Sequence, residues 1–191
     1  MRPGEVRAQF VSKDGREVTV RGLRRGDLGA LVRFANAISR EKRSNPDLGI
    51  TSLDGRATRK GEGRFLANIL REAKKRNVVS RAAFVDGEIV GHSDVWRRIP
   101  RDVHHTGVFG IVLLDGCRGA GIGGRLMSEV LRESKRVGIW LVELTVFAIN
   151  ERAIHLYEKQ GFMRVGVVPD HIVRGERHID EIIMYADLRK R

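Results

Sequence analysis

At 191 residues, with 41% hydrophobic and 31% charged, the chain suits one globular domain with a substantial core and excludes a disordered or fibrous protein. It has no run of about 18 apolar residues, no apolar export segment after Met1 and a single cysteine, Cys117, which predicts a cytoplasmic protein without membrane span or internal disulfide. The net charge of +12 is lopsided, since residues 1–77 hold 19 Lys+Arg against 9 Asp+Glu and residues 78–191 hold 17 against 15.

Glu5 to Val11 and Glu17 to Leu23 alternate around Lys13-Asp14-Gly15 and predict a hairpin. Asp27 reads as the N-cap of a helix with Leu28, Leu31, Val32, Ala35 and Ile38 on one face. Ser44 to Gly63 is polar and broken by Pro46, Gly49, Gly55 and Gly61, which predicts a long functional or mobile loop. A second helix follows, with a stripe of Phe65, Leu66, Ile69, Leu70 and Ala73. Val78 to Val85 and Glu88 to Trp96 form a hairpin pattern around Asp86-Gly87, and His105 to Leu114 is the next strand.

That strand runs into Arg118-Gly119-Ala120-Gly121-Ile122-Gly123-Gly124. A glycine-rich turn opening a helix offers unpaired N–H groups and a positive dipole end, which suits a phosphate. The helix buries Ile122, Leu126, Met127, Val130, Leu131 and Val137, turns Arg125, Glu129, Arg132, Glu133 and Arg136 to water, and ends at Gly138. Ile139 to Phe147 is apolar on nearly both faces, as a central strand should be. Next comes Asn150-Glu151-Arg152-Ala153-Ile154-His155-Leu156-Tyr157, a helix ended by Gly161, and then strands near Phe162 to Val168 and His178 to Ala186. Asn150 and Tyr157, seven residues apart, share one helix face.

Gly119, Gly121 and Gly124 also satisfy the dinucleotide pattern G-x-G-x-x-G, with Glu143 about 20 residues on. Four residues, Asp115 to Arg118, separate the strand from the first glycine, Glu143 lies inside its strand, and too little chain follows for a doubly wound sheet. Cys117 has no His or acid placed to activate it and reads as a bystander thiol.

The succession of strand, R-x-x-G-x-G turn, helix, strand and N-x-x-A-x-x-x-Y-x-x-x-G-F resembles the GNAT superfamily of acetyl-CoA-dependent N-acetyltransferases over roughly residues 17–187. Glu143 to Val146 and Asp180 to Met184 resemble the subgroup acting on amino acids, protein N-termini and small amines. The resemblance implies an α/β (α+β type) single domain. Its central twisted sheet would be mixed, mostly antiparallel, of about seven strands flanked by about four helices, with residues 1–16 as an extension strand. It implies that Arg118, Gly119, Ala120, Gly121, Ile122, Gly123 and Gly124 hold the pyrophosphate of acetyl-CoA. The backbone of Ile111, Val112 and Leu113 would pair with the pantetheine arm, Asn150 would bond the cofactor, and Tyr157 would protonate the departing thiolate. An N–H near Leu113 would stabilise the oxyanion. No metal is implied.

Alternatives stay open at each position: Asn150 as an N-cap, Tyr157 as a core aromatic, Arg118 as a surface cation. The general base is not evident. Where the ribosomal-protein alanine acetyltransferases carry a Glu five residues before the Asn, this chain has Thr145. Glu143, an acid in an apolar strand, is a catalytic candidate or else is paired with an Arg; His105, His178 and Asp180 are weaker candidates. The expected activity is direct acetyl transfer to an amino acid or a peptide N-terminus, between the Ser44–Gly63 loop and the stretch Val168 to Asp180, which carries His171 and Glu176. The competing readings are a polyamine acetyltransferase and a non-catalytic module whose basic half docks on nucleic acid or a ribosome. With 28 Arg against 8 Lys, a solvated basic face is favoured over such docking. No membrane partner is expected, and a homodimer is compatible with the pattern.

Overall fold

The computed structural model describes residues 4–45, 47–50 and 55–190. In chain order its main elements are β1 (Val6–Val11), β2 (Glu17–Arg21), α1 (Leu28–Ser44), α2 (Arg59–Lys74), β3 (Val78–Val85) and β4 (Glu88–Arg97). They continue with β5 (Thr106–Leu113), α3 (Ile122–Arg136), β6 (Leu141–Phe147), α4 (Glu151–Lys159), β7 (Met163–Arg174) and β8 (Arg177–Asp187). The eight strands make one sheet in the order β1-β2-β3-β4-β5-β6-β8-β7. Every neighbouring pair is antiparallel except β5 and β6. This is the mixed, mostly antiparallel single α/β domain expected, with β1 as the outermost strand. Among the described residues no helix is long and apolar enough to cross a membrane.

The helices cover both sheet faces. Met127, Val130 and Leu131 of α3 share a core with Val142, Leu144, Ile182 and Met184, and Ile154 and Tyr157 of α4 join it. On the other face Leu31, Phe34 and Ile38 of α1 and Leu66 of α2 pack with Ala82, Phe84 and Ile89. Of the faces read from helical spacing, Leu31, Ala35 and Ile38 of α1, Leu66 and Ile69 of α2 and Ile122, Leu126, Met127, Val130 and Leu131 of α3 are buried, and Phe34, outside the expected α1 stripe, joins them.

The parallel pair β5–β6 positions the site. It is joined only from Thr106 to Val108 against Leu141 to Glu143. The strands then diverge, each keeping its outer antiparallel neighbour: β5 stays on β4 to Leu113, and β6 stays on β8 to Phe147. At the closed end Gly107 permits the close approach, since a Cβ there would lie 2.5 Å from Val95 Cγ1. His105 and Trp140 stack beside it with ring centroids 4.1 Å apart. The result is a sheet with a wedge in its middle whose β5 edge is unpaired.

Several local expectations are corrected. α2 begins at Arg59, inside the expected loop, because the Thr58 hydroxyl caps the Gly61 N–H at 3.1 Å. Pro46 and residues 51–54 of that loop lie outside the described residues. Asp27 precedes α1 but its carboxylate does not cap it; it takes the Arg21 guanidinium at 2.7 and 2.8 Å and the Arg24 N–H at 2.8 Å. Glu133 of α3 is buried rather than solvated, bridged to Arg136 at 3.0 Å. β7 and β8 extend as a hairpin through most of the stretch expected as a connection. Pro169, which has no N–H, and Asp170 at φ 53° sit in an irregularity between Val168 and Ile172, after which pairing resumes.

Candidate active site

A cavity of about 570 Å³ occupies the wedge. Ile111, Val112 and Leu113 line one wall, Thr145 and Val146 another, the glycine turn one end, and Asn150 and Tyr157 of the α4 segment its floor. The Leu114 N–H reaches the Val90 carbonyl at 3.0 Å, so the β5 backbone at Val112 also faces β4 and that of Ile111 and Leu113 faces the wedge. An extended ligand can add to this edge as a strand would.

Arg118 does not act as a free cation. Its guanidinium donates to the Leu113 carbonyl at 2.7 and 3.2 Å and pairs with Glu41 of α1. Its N–H donates to the Asp115 carbonyl at 3.0 Å, unlike those of the glycines that follow it. What Arg118 does is pin the end of β5, tie it to α1 and leave the Leu113 N–H as the open backbone group there.

From Gly119 to Gly124 the N–H groups have no backbone acceptor among the described residues, because they form the turn and first turn of the 15-residue α3. Gly119 and Gly121 lie at φ 82° and 85°, which side chains resist. A Cβ on Gly119 would meet the Arg152 guanidinium at 2.8 Å. Lys13, Arg125, Arg152 and Lys159 also line this end. Lys13 comes from the β1–β2 turn, where its N–H donates to the Ala120 carbonyl at 3.0 Å and braces the glycine turn from outside. Open N–H groups, a helix dipole and a ring of cations are what a ligand with several phosphates requires.

Asn150 caps α4, its Oδ1 accepting the Ala153 N–H at 3.1 Å. Its Nδ2 faces Gly49 of the α1–α2 connection, 3.1 Å from where a Cβ would stand. One side chain thus caps with its oxygen and offers its amide nitrogen to the cavity. Tyr157 is 8% exposed, packs edge-on to Phe109 with centroids 6.2 Å apart, and lines the cavity. Its hydroxyl has no hydrogen-bond partner among the described residues, and burial pushes its pKa up to about 12.

Glu143 is placed differently from the expectation of a catalytic acid. It is partly exposed, ion-paired with Arg98, and outside the cavity lining. An acid in an apolar strand had two readings, and the paired one is what is found. His105 stacks on Trp140 at the closed end of the wedge. The Asp180 carboxylate takes the Asp170 N–H at 3.0 Å, while His178 and Glu176 are exposed on the hairpin. His171 Nδ1 lies 2.6 Å from the buried Glu181. Cys117 is buried, with the Arg16 guanidinium 3.0 Å from its sulfur. Residues that sequence reasoning missed are Lys13 and Arg152 at the glycine turn and Leu48 and Ile50 over the cavity. No local pattern marks Lys13, because only the pairing of β1 brings its turn to Ala120.

The comparisons with known proteins agree with this geometry. A family model described as acetyltransferase (GNAT) family matches residues 46–162. The L-amino acid N-acetyltransferase of Escherichia coli (strain K12) is 32% identical over 120 residues, 60% of this chain and 71% of the relative. A GNAT-family acetyltransferase structure from Streptococcus pneumoniae superposes with a TM-score of 0.77 at 26% identity, over 90% of this chain and 99% of that one. A GNAT phosphinothricin acetyltransferase from Sinorhizobium meliloti, solved with acetyl-CoA, has the same fold at a TM-score of 0.75 and 18% identity, over 90% of this chain and 88% of its own. The chain belongs to the GNAT acetyltransferase family and is an acetyl-CoA-dependent N-acetyltransferase.

Proposed function

We propose that the protein moves an acetyl group from acetyl-CoA directly to the amine of an amino acid or a peptide N-terminus, both substrates being bound together. One observation carries the reading: the open β5 edge, the free N–H groups of Gly119 to Gly124 and the Tyr157 hydroxyl border a single cavity. In this reading Gly119, Ala120, Gly121, Ile122, Gly123 and Gly124 hold the pyrophosphate, and Lys13, Arg125, Arg152 and Lys159 meet its remaining charge. The backbone of Ile111 and Leu113 bonds the pantetheine amides, and the Asn150 Nδ2 adds a donor.

Attack of a neutral amine on the thioester carbonyl builds negative charge on oxygen, and a wedge-facing N–H on β5 is placed to stabilise it. As the C–S bond breaks, the thiolate needs a proton. Tyr157, with its pKa raised to about 12 by burial, stays protonated at neutral pH and holds that proton in reserve.

The net charge of +12 repels polycations over long range. The related L-amino acid N-acetyltransferase is named for an amino-acid acceptor. Together these favour an amino acid or a peptide N-terminus over spermine. Acetyl-CoA should raise the melting temperature whereas NAD and NADP should not. Competitive turnover should place spermine below amino acids, most clearly at low ionic strength. Stabilisation by NAD alone would overturn the reading, and spermine as the best acceptor at low salt would overturn the acceptor assignment.

A further inference from the structure

β4 carries, beside the wedge but behind the lining of its cavity, a carboxylate that no motif marks. Asp94 pairs across the sheet with Gly110 of β5, and a Cβ on that glycine would stand 3.4 Å from Asp94 Oδ1. Gly110 immediately precedes Ile111, the first β5 residue in the cavity wall. With no side chain at Gly110, the carboxylate lies against bare backbone beside the place where the strands part.

The face is identified by His92, two residues earlier on the same strand, which packs edge-on to Phe65 of α2 with centroids 5.9 Å apart. Asp94 therefore lies on the α1–α2 side, the side roofed by Leu48 and Ile50. Among the described residues no salt bridge reaches Asp94, although His92 lies close enough to favour its charged form. On its own strand His92 is buried and bonded to the Ser80 hydroxyl at 2.9 Å, and the Trp96 indole donates to the carboxylate. Opposite it Val108, Gly110 and Val112 carry no charge. On β6 Glu143 is already paired with Arg98, and α2 adds Glu62, another acid whose carboxyl burial raises. Burial likewise raises the Asp94 carboxyl above the usual range, with His92 and Trp96 opposing. A half-buried carboxylate with no cation paired to it among the described residues favours an incoming ammonium and can take its proton.

We propose that Asp94 binds the acceptor ammonium across Gly110 and removes its proton. The proposal rests on the acetyl-transfer reading and supplies the base that it lacks. The ammonium gives one proton to the Asp94 carboxylate, and the freed nitrogen lone pair forms the N–C bond as the C–S bond breaks. The thiolate takes the Tyr157 proton, the second nitrogen proton returns to the tyrosine oxygen, directly or through water, and Asp94 releases its proton to solvent. One acetyl group is moved and one proton released per turnover.

The test compares two acceptors, an alkylamine protonated at neutral pH and O-methylhydroxylamine, which is not. Asp94→Asn should lower kcat/KM for the alkylamine by about two to four orders of magnitude. It should keep most of the turnover of O-methylhydroxylamine and the full acetyl-CoA-induced rise in melting temperature. Trp96→Phe removes a hydrogen bond that favours the charged carboxylate, so the acid limb of the pH profile should move to higher pH. This second variant decides the matter if Asp94→Asn does not fold. Equal losses on both acceptors, near wild-type turnover of the alkylamine, or an unmoved acid limb in Trp96→Phe each overturn the role of Asp94 alone. A wild-type protein that neither binds acetyl-CoA nor acetylates any amine overturns the underlying acetyl-transfer reading as well.

Discussion

The two sides of the wedge are built by different means. On the reading proposed above, the acetyl-CoA side is made of backbone: the unpaired β5 edge, the N–H groups of a glycine turn and a helix start, all within residues 111–124. The side proposed for the acceptor is assembled from side chains far apart in the chain. Arg174 of β7 donates to the Ile50 carbonyl at 2.6 Å, and Arg177 of β8 pairs with Asp47 at 2.8 Å. Those two ties span 124 and 130 residues. Backbone donors held by a sheet and a helix leave little freedom, and they recognise phosphates and amides that every acetyl-CoA carries. An exposed ion pair such as Arg177–Asp47 contributes about 0–1 kcal/mol, so the acceptor side can adjust at small cost. On that reading a fixed half-site faces the donor substrate and an adjustable one faces the acceptor.

Breaking the backbone half should have the largest effect. Gly121→Val puts a branched side chain at φ 85° beside the open N–H groups. Stabilisation by acetyl-CoA should vanish while the unliganded protein keeps its circular dichroism. A retained thermal shift would show that the turn does not hold the phosphates.

Tyr157→Phe comes next, keeping the ring that packs on Phe109 and removing the hydroxyl. Turnover should fall by about two to four orders of magnitude with acetyl-CoA affinity kept; unchanged turnover would make the tyrosine structural. The same hydroxyl has a signature at high pH. Its folded pKa, about 12, exceeds its ordinary value of 10.0, so its contribution is complete below 10.0 and is lost as pH climbs through about 12. Wild type should therefore lose more stability than Tyr157→Phe across that window, measured by denaturant unfolding at matched pH.

The adjustable half sharpens the comparison with a smaller effect. Arg174→Ala frees Ile50 from the hairpin and should raise the acceptor KM several-fold, leaving the acetyl-CoA KM alone. Equal changes in both constants would mean that the two halves are mechanically one. Glu143→Gln should do least. It removes a partly exposed ion pair outside the cavity, so turnover should stay near wild type and stability should change by about 0–1 kcal/mol. A large loss of turnover would return Glu143 to the chemistry.

How much was legible follows the same division. The glycine turn, the α3 stripe, the Asn150 cap and the Tyr157 face are short-range patterns, set by turn chemistry and helical spacing within a few residues. Acid roles were not legible in this way. Glu143 looked buried because its neighbours in sequence are apolar, yet Arg98 reaches it from the end of β4. Asp94 sits in an alternating strand where nothing distinguishes it, and its setting comes from Gly110 across the sheet and α2 above it.

The amino-acid order alone therefore determined that a strand must end in a glycine turn with open N–H groups and that a capped helix must present a tyrosine, because backbone geometry is decided locally. Only the tertiary structure decided that β5 and β6 part after Val108, that Arg118 serves the Leu113 carbonyl, and that Lys13 braces the turn. Those outcomes depend on strand order and on contacts between distant segments, where burial and charge pairing are settled by neighbours the sequence does not place side by side.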